Sequence, residues 1–329
     1  MFRLAIIFFF IAAASNSLGE PVIEGVQGEI QAQGTVIITG SGFGEKETAA
    51  PFLWDDPSSV AYDGEVIPTR MGTFDHPQDP SAQYAEADGS SCPASTMYSL
   101  NGRVPGRPVY AATGPSGYLR GNNGPQGDYL YLNWWMRSTN INTSGPSGSS
   151  LNKILRVWAG PTGESGRITL YPDHVSYPMD LVAGENNSVY APFYPQEGFW
   201  TNIEVWTDAS AGSGNQGILK IWRDGQLLVS AEDLDLGPAG SNAPYTWIQT
   251  LGMEAGHNTS LENGDNQFGD IYIDNTLARV FLGDEPTWSN TRHREIQVPS
   301  QWGPTQIDFQ VNTGSFPIGE AAYLYVVDS

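Results

Sequence analysis

Glycine and proline interrupt this chain too often for it to fold as long helices. It contains 38 Gly and 23 Pro among 329 residues, and both residue types favour turns between short strands. Aromatic residues, at 12 %, suit the pleated surface of a sheet. Coiled coils and long helical bundles need unbroken runs rich in Ala, Glu, Lys and Leu. The sequence therefore predicts an all-β protein.

The chain is strongly acidic. It has 36 Asp and Glu against 15 Lys and Arg, which gives a formal net charge of -21. Nucleic acids and anionic membrane surfaces are bound by clustered Lys and Arg, so we exclude both as partners. The charge also disfavours a polyanionic substrate unless cations bridge the two.

Residues 1–19 have the pattern of a secretory signal peptide. Arg3 supplies a short positive start, Leu4–Ala14 is an apolar run, and Ser17 and Gly19 are small residues placed before a cleavage site. No later segment is apolar and long enough to insert into a membrane. We therefore predict a secreted protein, located outside the cell or on its surface.

The two ends of the chain match as halves of one small domain. Val36–Gly44 (VIITGSGFG) is a β-branched strand that runs into a glycine-rich turn, and Ala322–Asp328 is a strand-like segment near the other end. These segments resemble an IPT/TIG domain, an immunoglobulin-like module. The resemblance implies a small Ig-like β-sandwich split into residues 20–54 and 291–329.

Residues 55–290 interrupt that module with short strands and no helical pattern. Such spacing predicts a two-sheet sandwich or jelly roll inserted into a loop. Four segments, in the order Tyr129–Arg137, Asn152–Trp158, Gly198–Trp206 and Gly217–Gln226, resemble concanavalin A-like jelly rolls of the lectin and polysaccharide lyase type. In that class a "W…E.W" strand pairs with a "G.L..W.DG" strand across a hairpin. The resemblance implies the fold more strongly than an activity.

Alternation along four of these strands predicts a surface for sugars. Successive side chains point to opposite faces of a strand, and placing the apolar set inside leaves aromatic and polar residues together on the other face. We expect one concave sheet face, open to water, where rings stack on sugars and polar groups bond hydroxyls. The alternative is half-buried Trp packing with ordinary cross-strand charge pairs. The predicted carbohydrate-binding residues are Tyr131, Asn133, Trp135, Arg137, Arg156, Trp158, Glu204, Trp206, Lys220 and Trp222.

Catalysis on a glycan is left open by the sequence. A glycosidase needs two carboxylates flanking one bond, and Glu204 is the only acid on the predicted face, which disfavours a glucanase. A lyase needs a base and a group that neutralises a uronate carboxylate. The candidates are Arg137 and Arg156 for the carboxylate, and Tyr171 and His174 for the base.

Structural calcium is a further expectation. Jelly rolls of the resembled class often hold such an ion, and Ca²⁺ prefers oxygen ligands. Asp55 and Asp56 follow the first Ig-like segment, while Asp270 and Asp274 lie on the last sandwich strand. These acids converge if first and last strands are neighbours; otherwise they are solvated loop acids.

The sequence thus predicts a secreted protein that binds extracellular polysaccharide through the jelly-roll domain. Two alternatives remain beside it. One is a polysaccharide lyase acting by β-elimination on a uronate-containing glycan. The other is a structural component of a larger surface or matrix assembly, in which both modules act as spacers.

Overall fold

The computed structural model confirms the all-β sandwich class. In the part of the chain that it describes, every regular element is a strand except one turn of 3-10 helix at Trp288–Asn290. Among those residues no helix is long and apolar enough to cross a membrane. The structure describes residues 20–55, 74–75, 82–86, 108–113, 117–121, 128–138, 153–159, 167–170, 174–178, 186–190, 198–210, 217–234, 236, 245–254, 265–317 and 319–328. The predicted signal peptide lies outside them, and secretion stays a prediction.

The strands are short, as the glycine and proline content predicts. In chain order they are β1 Val22–Gly28, β2 Thr35–Ser41, β3 Leu53–Asp55, β4 Phe74–Asp75, β5 Ala82–Glu86, β6 Pro108–Thr113, β7 Gly117–Gly121, β8 Tyr129–Ser138, β9 Lys153–Ala159, β10 Arg167–Leu170, β11 His174–Pro178, β12 Asn186–Tyr190, β13 Thr201–Asp208, β14 Gly217–Arg223, β15 Gln226–Leu234, β16 Tyr245–Glu254, β17 Asp265–Asp274, β18 Arg279–Gly283, β19 Arg294–Ile296, β20 Val298–Gly303, β21 Gln306–Gln310 and β22 Tyr323–Val327.

The chain divides into two compact units. The first unit comprises Met1–Trp54, Asp224–Gln226 and Thr276–Ser329. The second unit comprises Asp55–Arg223 and Leu227–Asn275. The sequence-based boundary after residue 290 therefore differs from the division in the structure, because the 15 residues before it, 276–290, belong to the first unit.

Segments from both chain ends build the core of the first unit. Its sheets have the strand orders β1-β2-β21-β20 and β19-β18-β22. Val36 on β2 lies opposite Phe309 on β21, and both side chains are fully buried in one apolar cluster with Ile38 and Ile307. Burying a side chain of this size contributes about 1.5–3 kcal/mol relative to leaving it exposed. The IPT/TIG identity of this unit stays a prediction.

Strand β18 explains the shifted boundary. The sequence predicts one strand over Asp270–Leu282, but the structure has two, β17 and β18, separated by the exposed turn at Asn275. All five residues of β18 pair with β22, from Arg279↔Val327 to Gly283↔Tyr323. This ladder places β18 in the first unit.

The second unit consists of two antiparallel sheets. The seven-stranded sheet has the order β12-β11-β10-β9-β16-β7-β4, and the eight-stranded sheet has the order β15-β14-β13-β8-β17-β6-β5, with β3 beside β17. One face of each sheet is apolar and buried, as Leu132 and Val205 show in the eight-stranded sheet and Leu155 and Leu170 in the seven-stranded sheet. Their burial supplies the core of the unit.

Candidate functional site

Aromatic and polar residues of three neighbouring strands share one face of the eight-stranded sheet, as their alternation predicts. Across the β8–β13 ladder the pairs are Tyr131↔Trp206, Asn133↔Glu204 and Trp135↔Asn202. Strand β14 continues two of these rows, with Lys220 opposite Trp206 and Trp222 opposite Glu204. We call this surface the polar face; it consists of Tyr129, Tyr131, Asn133, Trp135, Arg137, Asn202, Glu204, Trp206, Asp208, Lys220 and Trp222.

Most of the polar face is buried, so the prediction of a trough open to water is wrong for those residues. Tyr131, Arg137 and Glu204 are 0 % exposed, and Asn133 and Trp135 are 1 % exposed. Trp206 is 6 % exposed. A glycan cannot reach these side chains in this conformation. Alternation had separated the polar side from the apolar side correctly, but it carries no information on whether the polar side is covered.

The buried side chains of the polar face form hydrogen bonds with one another. This is the physical reason that the face can be covered. The Tyr131 hydroxyl donates to Glu204 Oε2 at 2.8 Å. Asn133 and Asn202 exchange amide hydrogen bonds of 3.3 Å, and Asn202 Nδ2 also donates to the Trp134 carbonyl at 3.2 Å. Burial of such groups costs little only when partners replace the lost water.

Gln267 on the same face differs from these hydrogen-bonded residues. It lies on β17 directly opposite Arg137 and is 0 % exposed. Neither its Nε2 donor nor its Oε1 acceptor has a hydrogen-bond partner among the described residues. A buried amide in that state destabilises the fold by about 1–3 kcal/mol.

The polar face reaches solvent at one corner. Tyr129, the first residue of β8, is 40 % exposed, and its ring stacks on that of Trp206 with centroids 5.5 Å apart and planes 7° apart. Asp208, Lys220 and Trp222 are partly exposed in the same region of the sheet. This corner is open to a ligand, unlike the centre of the face.

Two of the predicted sugar-binding residues belong to the other sheet. Arg156 and Trp158 lie on β9, which pairs with β10 and β16 and not with β8. The expectation that they share a face with Arg137 is therefore wrong. Alternation assigns residues to the two sides of a strand, but it does not determine which strands become neighbours, and the β9–β16 pairing joins segments far apart in sequence.

The seven-stranded sheet has its own polar rows. Arg156, Thr169, Ser176 and Ser188 occupy paired positions on four successive strands, β9 to β12, and we call them the Arg156 row. Arg156 is partly exposed, and its Nε donates to Thr169 Oγ1 at 3.3 Å. The neighbouring row, on the opposite face, is wholly apolar: Leu155, Leu170, Val175 and Val189. One face of this sheet is thus apolar and the other polar, and the polar face is covered at Thr169, which is 0 % exposed.

The candidate base His174 falls on the same face as the Arg156 row. It precedes Ser176 by two residues on β11, and its paired position on β12 is Tyr190. Tyr171, the other candidate base, lies outside the described residues. Sequence reasoning missed Tyr190, Ser176 and Ser188. The alternation in His174–Pro178 was a usable signal for Ser176, whereas Asn186–Tyr190 begins with three polar residues and gave none.

Three of the predicted calcium ligands, Asp55, Asp270 and Asp274, lie on two strands that pair with each other. Strand β3, which ends at Asp55, pairs with β17, the strand of Asp270 and Asp274. Asp274 accepts hydrogen bonds from the Tyr272 hydroxyl at 3.0 Å and the Asn275 backbone N–H at 2.9 Å.

No group of three or more potential ligand side chains converges among the residues that the structure describes. Asp56 is not among them. Calcium binding therefore stays a sequence-based prediction. Thermal melting with and without a chelator tests it, because an ion that binds only the native state raises the melting temperature.

Comparison with known proteins gives structural likeness without sequence relatives. The sequence matches no protein-family model and no curated protein. The endo-β-1,4-glucuronan lyase from Trichoderma reesei is similar with a TM-score of 0.43 and 12 % identity, covering 69 % of this chain and 97 % of that one. The PL-14 alginate lyase from Aplysia kurodai has a TM-score of 0.46 and 12 % identity, covering 68 % and 99 %.

A third similar structure is domain 4 of AbnA, an extracellular arabinanase from Geobacillus stearothermophilus, in complex with arabinotriose. Its TM-score is 0.33 at 12 % identity, covering 58 % of this chain and 77 % of that one. Likeness at this level carries no activity over to this chain. Its function is argued from its own residues.

Proposed function

We propose that the protein binds an extracellular polysaccharide at the face of the seven-stranded sheet that carries the Arg156 row. The observation behind the proposal is the contrast between adjacent rows on β9 to β12, one wholly polar and one wholly apolar. A row across four paired strands spans about 14 Å, at about 4.8 Å per strand, and its Arg156 end is partly exposed whereas Thr169 is 0 % exposed. Hydroxyl and guanidinium groups match the hydrogen-bonding groups of sugars.

Two further positions strengthen this assignment. Trp158 shares the face of Arg156, two residues further along β9, and its paired position on β10 is Arg167. An aromatic residue beside cationic and hydroxyl residues is the combination that sugars favour, because their C–H faces stack on rings.

Affinity electrophoresis and calorimetry against a panel of neutral and acidic glycans test the proposal. We expect Arg156→Ala and Trp158→Ala each to weaken binding by about tenfold, the loss expected for one hydrogen bond involving a charged group or one stacked ring. Arg292→Ala, which removes an exposed arginine of the first unit, is the matched control and should leave affinity unchanged. Unaltered binding by both Arg156→Ala and Trp158→Ala, or no binding of any glycan by the unmodified protein, overturns the proposal.

A polysaccharide lyase is the second candidate, favoured by the His174↔Tyr190 pairing on the face of Arg156. In that reaction Arg156 neutralises a uronate carboxylate, and His174 or Tyr190 takes the proton from the carbon beside it. The electron pair forms a C–C double bond as the glycosidic C–O bond breaks, and the leaving oxygen gains a proton. Alginate, pectin and glucuronan should then yield products absorbing as unsaturated uronates. If absorbance stays constant with all three, the candidate is eliminated.

A further inference from the structure

Tyr129 combines high exposure with a fixed ring position. One side of its ring is stacked on Trp206, with planes 7° apart, and Trp206 itself is only 6 % exposed. The backbone around it is also held, because the Ala209 N–H donates to the Asp128 carbonyl at 2.8 Å. The 40 % of Tyr129 that solvent reaches therefore belongs to the side of the residue turned away from Trp206. A ring fixed in this way binds a partner with little loss of conformational entropy.

A carboxylate flanks this ring. Asp208 lies opposite Tyr129 across the β8–β13 ladder and is partly exposed. Its Oδ1 accepts a hydrogen bond from the Ser210 backbone N–H at 2.9 Å. This bond orients the carboxylate and thereby also fixes the position of Oδ2. A carboxylate oxygen accepts hydrogen bonds from sugar hydroxyl groups and repels the carboxylate or sulfate groups of anionic sugars. Lys220, opposite Trp206, adds a donor nearby.

We propose that Tyr129 is the stacking platform of a second sugar-binding site, which takes an uncharged pyranose unit and orients it through Asp208. This site lies on the eight-stranded sheet, whereas the proposed Arg156 site lies on the seven-stranded one. The inference rests on the proposed function, since it assumes that the protein binds glycans. Beyond that function, the inference specifies where an additional sugar unit binds and that this unit is uncharged.

Oligosaccharide titrations separate this inference from the proposed function. The probes are neutral hexasaccharides of glucose and of mannose and an alginate hexasaccharide, followed by calorimetry and tryptophan fluorescence. We expect Tyr129→Ala to weaken binding of the neutral hexasaccharides by about tenfold, the worth of a well-stacked ring, and Tyr129→Trp to retain it. Phe199→Ala is the matched control, since Phe199 is 38 % exposed and lies near the opposite end of the same strand pair.

Each outcome decides the matter. Selective loss in Tyr129→Ala, retention in Tyr129→Trp and no change in Phe199→Ala support the platform. Equal affinities for Tyr129→Ala and the unmodified protein overturn it, as does an equal loss in Phe199→Ala. If Arg156→Ala abolishes binding while Tyr129→Ala has no effect, the proposed function survives and this inference fails. If the unmodified protein binds no glycan, both fail. A melting temperature shared by the two Tyr129 variants excludes misfolding as the cause.

Discussion

The Tyr131 hydroxyl donates a hydrogen bond to Glu204 Oε2 at 2.8 Å, and both side chains are 0 % exposed. They lie in adjacent rows of the polar face, on β8 and β13. A carboxylate at this depth is stable only when donors replace its water. The pair therefore stabilises the eight-stranded sheet, and it is unavailable to a glycan in this conformation.

Removing the Tyr131 hydroxyl should destabilise the protein. We expect Tyr131→Phe to lower the free energy of unfolding by about 2 kcal/mol, because the bond it deletes is to a buried carboxylate. Tyr129→Phe, at an exposed position, is the control and should change stability little. Denaturant unfolding of Tyr131→Phe, Glu204→Gln and the double variant gives the coupling energy. Strictly additive effects would show that the two groups do not interact.

Gln267 should behave in the opposite way. Its buried amide has no hydrogen-bond partner among the described residues, so Gln267→Met replaces it by a side chain of similar size with no such requirement. We expect the free energy of unfolding to rise by about 1–3 kcal/mol. Gln297→Met is the control, because that buried amide donates to the carbonyls of Glu295 and Asn312 at 2.8 and 2.9 Å. A loss of stability in Gln267→Met as large as in Gln297→Met contradicts the prediction.

The sequence predicted the faces of individual strands better than it predicted their neighbours. Alternation over β8, β13 and β14 assigned Asn133, Glu204 and Lys220 to one side, and the ladders agree. It failed for Arg156, since the pairing of β9 with β16 depends on tertiary packing that no local pattern encodes. It also failed to show that the polar face is covered. Polar residues indicate solvent only on average, and here internal hydrogen bonds replace it.

Part of the Arg156 row could have been found in the sequence. Thr169 and Ser176 each lie between two apolar or aromatic neighbours on short strands, which is the usual sign of a half-buried sheet, whereas Ser188 follows Asn187 and shows no such alternation. What the sequence lacked was the register that aligns them with Arg156. Register comes from turn geometry and cross-strand packing, so one residue of error would have moved every member to the other face.

Burial of Tyr325 should make the first unit sensitive to alkaline pH. Desolvation raises the pKa of this phenol above its ordinary value, against the opposing effect of its hydrogen bond with Thr291. Because the native pKa exceeds the unfolded one, this contribution to stability is complete below the unfolded pKa of 10.0 and is lost as pH rises through the native pKa.

We therefore expect the unmodified protein to lose more stability between pH 9 and pH 11 than Tyr325→Phe, which has no phenol to ionise at that position. Tyr323→Phe, on the same strand and partly exposed, is the control and should lose stability as the unmodified protein does. Denaturant midpoints at the two pH values provide the measurement. An identical decline in Tyr325→Phe and in the unmodified protein refutes the assignment.

Gly225 should tolerate no side chain. With Asp224 it forms the two-residue turn between β14 and β15, and φ is 47° at Asp224 and 72° at Gly225, as a type I′ turn requires. A Cβ on Gly225 would lie 2.7 Å from Arg294 Nε and Nη2. Arg294 stacks on Trp288, 3.5 Å from the ring centroid, and donates a hydrogen bond to the Gly225 carbonyl. Gly225→Ala must therefore displace this buried guanidinium.

Gly319→Ala separates the two causes of that destabilisation. Gly319 also has a positive φ, 93°, but a Cβ there meets nothing within 4 Å, so its substitution reports the backbone cost alone, about 1–2 kcal/mol. We expect Gly225→Ala to lower the free energy of unfolding by more than this, because it adds the loss of the Arg294 contacts to the same backbone cost. Denaturant unfolding of both variants measures the difference. Equal losses in the two variants would contradict the prediction. They would mean that the Arg294 side chain moves aside for a Cβ at position 225 without a cost in stability.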